Sequence, residues 1–272
     1  MVILKSDREI ELLRECGDLV SRTLAEVAKA IQPGVSTLAL DALAEEYIRS
    51  HGAAPAFKGY RVGNLVFPST LCMSINDVVV HGIPGEHVLE EGDLVSVDCG
   101  VVLNGYFGDS AFTFGIGKIS DEKTRLCQAT YESLNLAIEQ TILGNRIGDI
   151  GSVVQDRCTI DGFGVVRDLV GHGIGKKLHE APQVPNYGER GVGKKLKRGI
   201  VLCIEPMVNQ GSADVSTDDD GWTVRTADGT PSAHYEHMVA ISSKGTEVLT
   251  TFAYIEELIE TPYKQFEQVN HG

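Results

Sequence analysis

Two short stretches of this 272-residue chain decide the fold prediction: Gly34-Val35-Ser36-Thr37-Leu38 and Gly144-Asn145-Arg146-Ile147-Gly148. Each follows a long amphipathic pattern and opens a second, shorter one, and their first glycines are 144 − 34 = 110 residues apart. Glycine ends helices because it tolerates a positive φ, and a serine-threonine pair is typical of a helix start. We therefore expect two copies of one helix–glycine–helix–strand unit.

The hydrophobic pattern extends this unit along the chain in both directions. Apolar residues at three-to-four spacing predict four helices, over residues 9–30, 36–52, 120–143 and 147–161. Runs rich in β-forming residues predict strands after the first helix pair, at residues 71–75, 78–80, 94–99 and 111–114. Strands are expected again from Val165 onward, whereas the acidic run 216–221 is expected to be a polar loop.

Residues 6–114 and 120–250 thus form two ααββ halves with little sequence identity. Such halves can pair their strands into one curved, mainly antiparallel sheet with helices on one face, which is an α+β fold. Because no Pro/Ser-rich linker separates them, we expect a single catalytic domain over residues 1–272, with its site in the concavity between the halves.

Composition and charge exclude several classes of protein. The chain has 24 Lys and Arg against 38 Asp and Glu, a net charge of −14, so nucleic acid is a poor partner and cations are better ones. No apolar run is long enough to span a membrane, and the start lacks a secretory signal. Six cysteines without a CxxC motif then indicate reduced, buried thiols in a cytoplasmic protein.

Four carboxylates interrupt segments that are otherwise apolar. Asp98 lies in a β-rich run, and Asp109, Glu205 and Glu236 stand at the edges of similar runs. An isolated ionised carboxylate is strongly disfavoured in such surroundings, and no basic residue in these runs neutralises them. Together with His172 in Gly171-His172-Gly173, the acids predict a dinuclear site for hard divalent cations.

Two further histidines lie beside this set in the sequence. His81 ends an apolar run at a Gly-Ile-Pro turn, and His179 follows His172 by seven residues. Both suit proton transfer or stabilisation of an oxyanion next to a metal site. Four other histidines have no comparable context and are expected to be surface or core residues: His51, His87, His237 and His271.

These segments together resemble the type I methionine aminopeptidases, which have the pita-bread fold. The ordered Asp-Asp-His-Glu-Glu set, at spacings of 11, 63, 33 and 31 residues, carries the resemblance over nearly the whole chain. The resemblance implies that five residues hold two divalent metal ions (Co, Mn, Fe or Zn): Asp98, Asp109, His172, Glu205 and Glu236.

The resemblance also implies roles in catalysis and substrate binding. Glu205 would accept a proton from the attacking water, His179 would bind the region of the scissile carbonyl, and His81 would contact the next amide. A pocket for the methionine side chain would be walled by Tyr60, Phe67, Cys72 and Trp222. The chain departs from many bacterial members at Phe57 and Leu178, and its 212–221 loop is acidic where some relatives have a basic loop linked to ribosome docking.

The implied activity is removal of the initiator methionine from nascent polypeptides whose second residue is small. Two alternatives remain: a prolidase or proline-specific aminopeptidase with the same ligands, and a non-catalytic pita-bread protein that binds other macromolecules. Prolidases usually carry a large additional N-terminal domain, and the non-catalytic relatives lack ligands that are present here. Ribosome association is possible, and a monomer is expected.

Overall fold

The computed structural model describes residues 2–263; Met1 and residues 264–272, including His271, lie outside this range. Within it, the helices are α1 (Asp7–Ala30), α2 (Thr37–Ser50), α3 (Asp121–Gln140), α4 (Ile147–Ile160) and α5 (Ala253–Glu256). The four long helices match the sequence prediction to within three residues at each end. The side chains of Ser6, Ser36 and Ser120 accept hydrogen bonds from backbone N–H groups in the first turns of α1, α2 and α3, which fixes where these helices begin.

The strands follow each pair of long helices. The first group is β1 (Ala54–Pro55), β2 (Arg61–Val62), β3 (Leu65–Val66), β4 (Leu71–Ile75), β5 (Val78–Val80), β6 (Leu94–Leu103) and β7 (Tyr106–Gly115). The second group begins with β8 (Gly164–Val165), β9 (Gly171–Gly173), β10 (Glu180–Val184), β11 (Val201–Ile204) and β12 (Met207–Asn209). It ends with β13 (Val215–Thr217), β14 (Val224–Thr226), β15 (Ser232–His234), β16 (His237–Ser242) and β17 (Gly245–Val248).

The predicted repeat recurs in the backbone at the predicted offset. Gly34 and Gly144 have φ values of 91° and 99°, and their N–H groups donate to the carbonyls of Leu89 and Leu196. Two isolated β-bridges start at Ser36 and at Arg146, which are 146 − 36 = 110 residues apart. Equivalent backbone contacts therefore connect each helix pair to its own half of the chain.

All pairs between the described strands are antiparallel, and the α+β pita-bread prediction agrees with this mixed architecture. The predicted curved sheet is interrupted in places, so that the described strands divide into five hydrogen-bonded sheets. One interruption lies at Pro206, between β11 and β12, where proline has no N–H to donate to a ladder. The predicted loop 216–221 also begins as a strand, because residues 215–217 pair with β14.

Most buried apolar side chains form one cluster that includes residues of both halves, such as Leu13 and Val97 of the first and Leu134 and Val239 of the second. All six cysteines are buried and free, as the sequence indicated. No helix within the described range is long and apolar enough to cross a membrane.

Candidate metal centre and active site

Strands β6 and β7 place two carboxylates on one face of the first-half sheet. Asp98 lies directly opposite Ala111, and Asp109 is two residues from Ala111 on the same strand. Because side chains alternate between faces along a strand, Asp98 and Asp109 are diagonal neighbours. Cys72 of β4 is opposite Asp98 on its other side, so its thiol shares this face.

The other two acids lie where the ladders of the second half are interrupted. Ile204 pairs with His237 and Met207 pairs with His234, which leaves Glu205 and Glu236 between the paired segments on opposite strands. Glu236 also joins the halves: its N–H donates to the carbonyl of Ala111 over 2.9 Å. The break in the ladder therefore frees both acids to face β7.

His172 completes the group from the neighbouring strand β9. Its Nδ1 lies 3.0 Å from the carbonyl oxygen of Gly173, which can only accept, so Nδ1 carries the proton. The Nε2 lone pair then faces carboxylate oxygens of Asp109 at 3.7 Å and Glu205 at 3.4 Å. Burial and the nearby His179 lower the pKa of His172 to about 3, so an imidazolium does not explain this arrangement.

Burial also acts strongly on the acids. It raises the pKa of Asp98 to about 7, although hydrogen bonds from Asp109 and from the backbone of Cys99 oppose the shift. Burial, followed by repulsion from neighbouring carboxylates, raises the pKa values of Asp109, Glu205 and Glu236 well above their ordinary range. The group is therefore costly in its ionised form unless cations are present.

The carboxylate oxygens of this group that lack hydrogen-bond partners are suited to bind divalent metal ions. Four of its carboxylate oxygens, one each from Asp98, Asp109, Glu205 and Glu236, are buried without a hydrogen-bond partner. Ligand atoms of Asp109, His172, Glu236 and Cys203 all lie within 4.8 Å of one another. Burial raises the pKa of Cys203 well above its ordinary value, so its thiol stays protonated and is a poor ligand beside three acids. Oxygen atoms with one imidazole form the donor set expected for such ions.

This group forms the floor of a cavity of about 610 Å³. All eleven residues singled out in the sequence line it: Asp98, Asp109, His172, Glu205, Glu236, His81, His179, Tyr60, Phe67, Cys72 and Trp222. One wall is aromatic, because the Phe67 and Trp222 rings meet edge to face with their centres 5.3 Å apart. Asp220 fixes Trp222 on its loop by accepting a hydrogen bond of 2.7 Å from the Trp222 N–H.

Comparison with known proteins assigns the chain to a protein family. The model of metallopeptidase family M24 matches residues 11–243. A methionine aminopeptidase of Clostridium perfringens is 52% identical over 92% of this chain and 99% of its own length. Methionine aminopeptidase 1 of Bacillus subtilis is 47% identical over 92% of this chain and 99% of its own.

The chain belongs to the methionine aminopeptidases of metallopeptidase family M24. The crystal structure of the methionine aminopeptidase from Rickettsia prowazekii superposes with a TM-score of 0.89 at 36% identity, covering 92% of this chain and all of that one. A prolidase of Pyrococcus horikoshii, at 22% identity and a TM-score of 0.74, shares the fold, and this chain spans 64% of its length. Membership of M24 makes the protein a metal-dependent peptidase.

His179 and His81, which also line the cavity of this metallopeptidase, are held in different ways. The hydroxyl oxygen of Tyr60 lies 2.7 Å from Nδ1 of His179, and burial lowers the pKa of that histidine. His81 follows β5 with a φ of 60°, a conformation that is rare for residues other than glycine. Burial, followed by repulsion from His179, lowers the pKa of His81 to about 4, so both imidazoles are neutral at pH 7.

Sequence reasoning missed His234, which also lines the cavity of this methionine aminopeptidase. Its Nε2 is buried without a hydrogen-bond partner and lies 3.8 Å from an oxygen of Glu205. Its position two residues before Glu236 was the available signal. His237, expected to be a surface or core residue, is indeed in the core: its Nδ1 lies 2.7 Å from the hydroxyl of Thr250 and its ring stacks on Phe252.

Proposed function

We propose that this chain removes the initiator methionine from nascent polypeptides whose second residue is small, and that it uses two divalent metal ions. One observation carries the proposal: the bare Nε2 of His172 faces Asp109 and Glu205 at the floor of a cavity with an aromatic wall. The methionine aminopeptidases of Clostridium perfringens and Bacillus subtilis, at 52% and 47% identity, support the same substrate class.

The metal ligands in this proposal are the five residues of the buried group: Asp98, Asp109, His172, Glu205 and Glu236. Two divalent ions would add four positive charges to four carboxylates. Ions in such a pair supply a nucleophilic water near neutral pH and polarise the scissile carbonyl. Asp98 and Asp109, held by one ladder, and Glu236, tied to Ala111 of the same ladder, give the ions a rigid oxygen face.

The chain's own groups then move and hold protons. Glu205, whose Oε1 has no partner in the protein, accepts the proton of the attacking water. The phenol of Tyr60 donates to Nδ1 of His179, which leaves the Nε2–H of this neutral imidazole to donate to the oxygen of the scissile carbonyl. His81, also neutral, contacts the following amide, and the proton that Glu205 accepted moves to the leaving amine with His81 as a relay that regains its own proton.

Selectivity for methionine comes from the aromatic wall. Phe67 and Trp222 present ring edges and faces to which a thioether packs favourably, and Cys72 adds a small, polarisable side to the pocket. Phe57 and Leu178, where many bacterial relatives differ, also line the cavity and therefore shape it without changing the buried acids. The free α-amine of the substrate would bind at the metal ions that these acids hold, which restricts cleavage to the first peptide bond.

Several sequence predictions about the protein's setting stay predictions. They are the identity of the ions among Co, Mn, Fe and Zn, the single catalytic domain, the monomeric state, the cytoplasmic location, and docking to the ribosome. Part of the negative charge of the acidic 212–221 loop is neutralised within the protein, because Asp218 pairs with Arg225 at 2.8 Å. Docking through this loop would therefore differ from docking through a basic one.

The experiment compares hydrolysis of Met-Ala-Ser, Met-Leu-Ser and Ala-Pro-Ser with Mn(II) or Co(II) added. We expect cleavage of Met-Ala-Ser alone, lost in E205A and after removal of metal by a chelator. E189A, which changes an exposed glutamate that does not line the cavity, is the matched control and should retain activity. Turnover of Ala-Pro-Ser alone would assign the chain to the proline-specific enzymes. No turnover of any peptide in the metal-loaded protein would overturn the proposal and favour a binding function.

A further inference from the structure

A second cavity adjoins the catalytic one and has the opposite charge. The catalytic cavity is lined by six acidic residues and, among the described residues, by no lysine or arginine. The second cavity, of about 380 Å³, is lined by Lys58, Lys176 and Lys177 and by no described acid. Tyr60, Leu178 and His179 line both cavities, so the charge changes sign across these residues. We call the three lysines and this second cavity the lysine groove.

The three lysines differ in how far the protein already neutralises them. Lys58 Nζ lies 2.7 Å from a carboxylate oxygen of Glu45, and Lys176 Nζ lies 5.5 Å from the centre of the Tyr106 ring. Lys177 is held by its backbone N–H, which donates to Glu180, while its side chain is exposed. A positive groove at the mouth of the site is unexpected in a chain with a net charge of −14.

We propose that the lysine groove binds an acidic side chain at the third, fourth or fifth residue of the substrate, counted from its amino terminus. The inference rests on the proposed function. If the α-amine lies at the metal site and His179 holds the first peptide bond, the rest of the chain leaves past His179. The surface that it meets there includes the lysine groove. An extended chain advances about 3.3–3.6 Å per residue, so only a few residues follow the scissile bond before the chain is clear of the groove.

A peptide carboxylate fits the groove better than nucleic acid. The groove shares three lining residues with the catalytic cavity, so its natural occupant is the molecule already in that cavity. A polyanion would be repelled by the net charge of −14, whereas one carboxylate needs only a local positive potential. The two cavities therefore recognise a substrate that has a free amine at its end and an acid a few residues later.

The test compares peptides in which only one side chain changes. The reference is Met-Ala-Ser-Ser-Ser-Ser, and glutamate or lysine replaces serine at the third, fourth or fifth position. We expect kcat/KM to be about two- to tenfold higher for glutamate than for lysine at one or more of these positions, as for a few exposed ion pairs. Raising the salt to about 1 M should bring the ratio towards one, because the screening length falls to about 3 Å.

Charge reversal identifies the groove as the cause. In K176E/K177E the preference should invert, so that the lysine peptides become better substrates than the glutamate peptides. K194E/K195E changes the net charge equally at exposed lysines that line neither cavity, and it should keep the original preference. Using the ratio between two peptides removes any common effect of the substitutions on turnover.

Four outcomes would overturn the proposal. If the reference peptide is cut but the glutamate peptides are not preferred over the lysine peptides, the proposal for the groove fails and the proposed function stands. The same holds if K176E/K177E and K194E/K195E change the glutamate-to-lysine ratio equally. Loss of binding to an RNA homopolymer in K176E/K177E, with unchanged peptide ratios, would make the groove a nucleic-acid surface. Failure of the metal-loaded protein to cut the reference peptide at all would overturn the proposed function, and this inference with it.

Discussion

Lys5 and Glu180 form a buried ion pair, with 2.7 Å between Nζ and Oε2 and side chains that are only 3% and 4% exposed. The pair joins the segment before α1 to the strand that follows His179. The backbone on each side takes part: Lys5 Nζ also donates to the carbonyl of Ile3, and the Lys177 N–H donates to Glu180. One charge pair therefore anchors the turn that carries both His179 and part of the lysine groove.

Breaking this pair should destabilise the protein. K5M leaves the Glu180 carboxylate buried without its cation, and such a loss costs about 3–5 kcal/mol. We expect a fall of this size in the free energy of unfolding, measured by urea titration of the metal-loaded protein. K5M/E180M, which removes both charges, should recover most of it.

The matched control is another lysine–carboxylate pair of similar length but different burial. Lys29 and Glu26 are 2.6 Å apart, and 52% of the Lys29 side chain is exposed. K29M should therefore cost less than about 1 kcal/mol. Equal losses in K5M and K29M would contradict the assignment of the effect to burial.

In the metal-free protein, the contribution of the buried acids to stability should fall as the pH rises. Burial raises the pKa of Asp98 to about 7 and that of Glu205 well above its ordinary value, whereas both are near 4 in an unfolded chain. Between about pH 4 and pH 7 these acids bind more protons in the folded state than in the unfolded state, so their contribution to the free energy of unfolding decreases with pH. The buried His81, His172 and His234, whose pKa values are lowered, contribute with the opposite sign below about pH 6.5. Urea titrations at a series of pH values with a chelator present measure this slope.

Adding metal and removing one acid should each change that slope in a defined way. Saturating Mn(II) should raise stability most at the upper end of the range and release protons, because the ligands bind metal when deprotonated. D98N cannot ionise at this position, so its metal-free stability should lose less, or gain more, with rising pH than that of the unsubstituted protein. The same pH dependence in both proteins would contradict the argument.

Tyr60 should act on catalysis through His179. Y60F removes the hydroxyl 2.7 Å from Nδ1 and with it the preference for a proton on Nε2. A hydrogen bond of this kind is worth about 1 kcal/mol, so kcat should fall about fivefold with little change in KM. Y254F loses a phenol bond to the exposed Asp18 and serves as the control, which should keep kcat unchanged. A change in KM alone would make Tyr60 a wall of the pocket and nothing more.

The sequence predicted those parts of the molecule that local chemistry determines. Serine caps and the positive φ of Gly34 and Gly144 set the helix ends, so the four long helices and the 110-residue repeat could be read directly. Strands β2 and β3 have two residues each and leave no periodic pattern. The break opposite Pro206 depends on which strands pair, and no single segment contains that information.

In the candidate site, too, the residues with a local sequence signal could be predicted, whereas those that depend on distant contacts could not. Asp98 could be predicted because a carboxylate within an apolar strand needs a partner that its neighbours in sequence do not supply. The bond between Lys5 and Glu180 spans 175 residues and has no local signature. His234 was missed because its relation to Glu205 exists only once β12 and β15 are paired.

His234 provides the last prediction. Burial lowers its pKa to about 3, so it stays neutral, and its unpartnered Nε2 is 3.8 Å from the proposed proton acceptor Glu205. A neutral group there steers the orientation of the Glu205 carboxylate, and a misplaced catalytic group can cost about 100-fold in rate. H234A should therefore lower kcat about ten- to 100-fold, while H234Q, whose amide can occupy the place of Nε2, should recover much of it. Metal content and the urea midpoint, measured on both variants, separate this role from a loss of ligands or of folding. Equal activity of H234A and H234Q would show that no polar group is needed at this position.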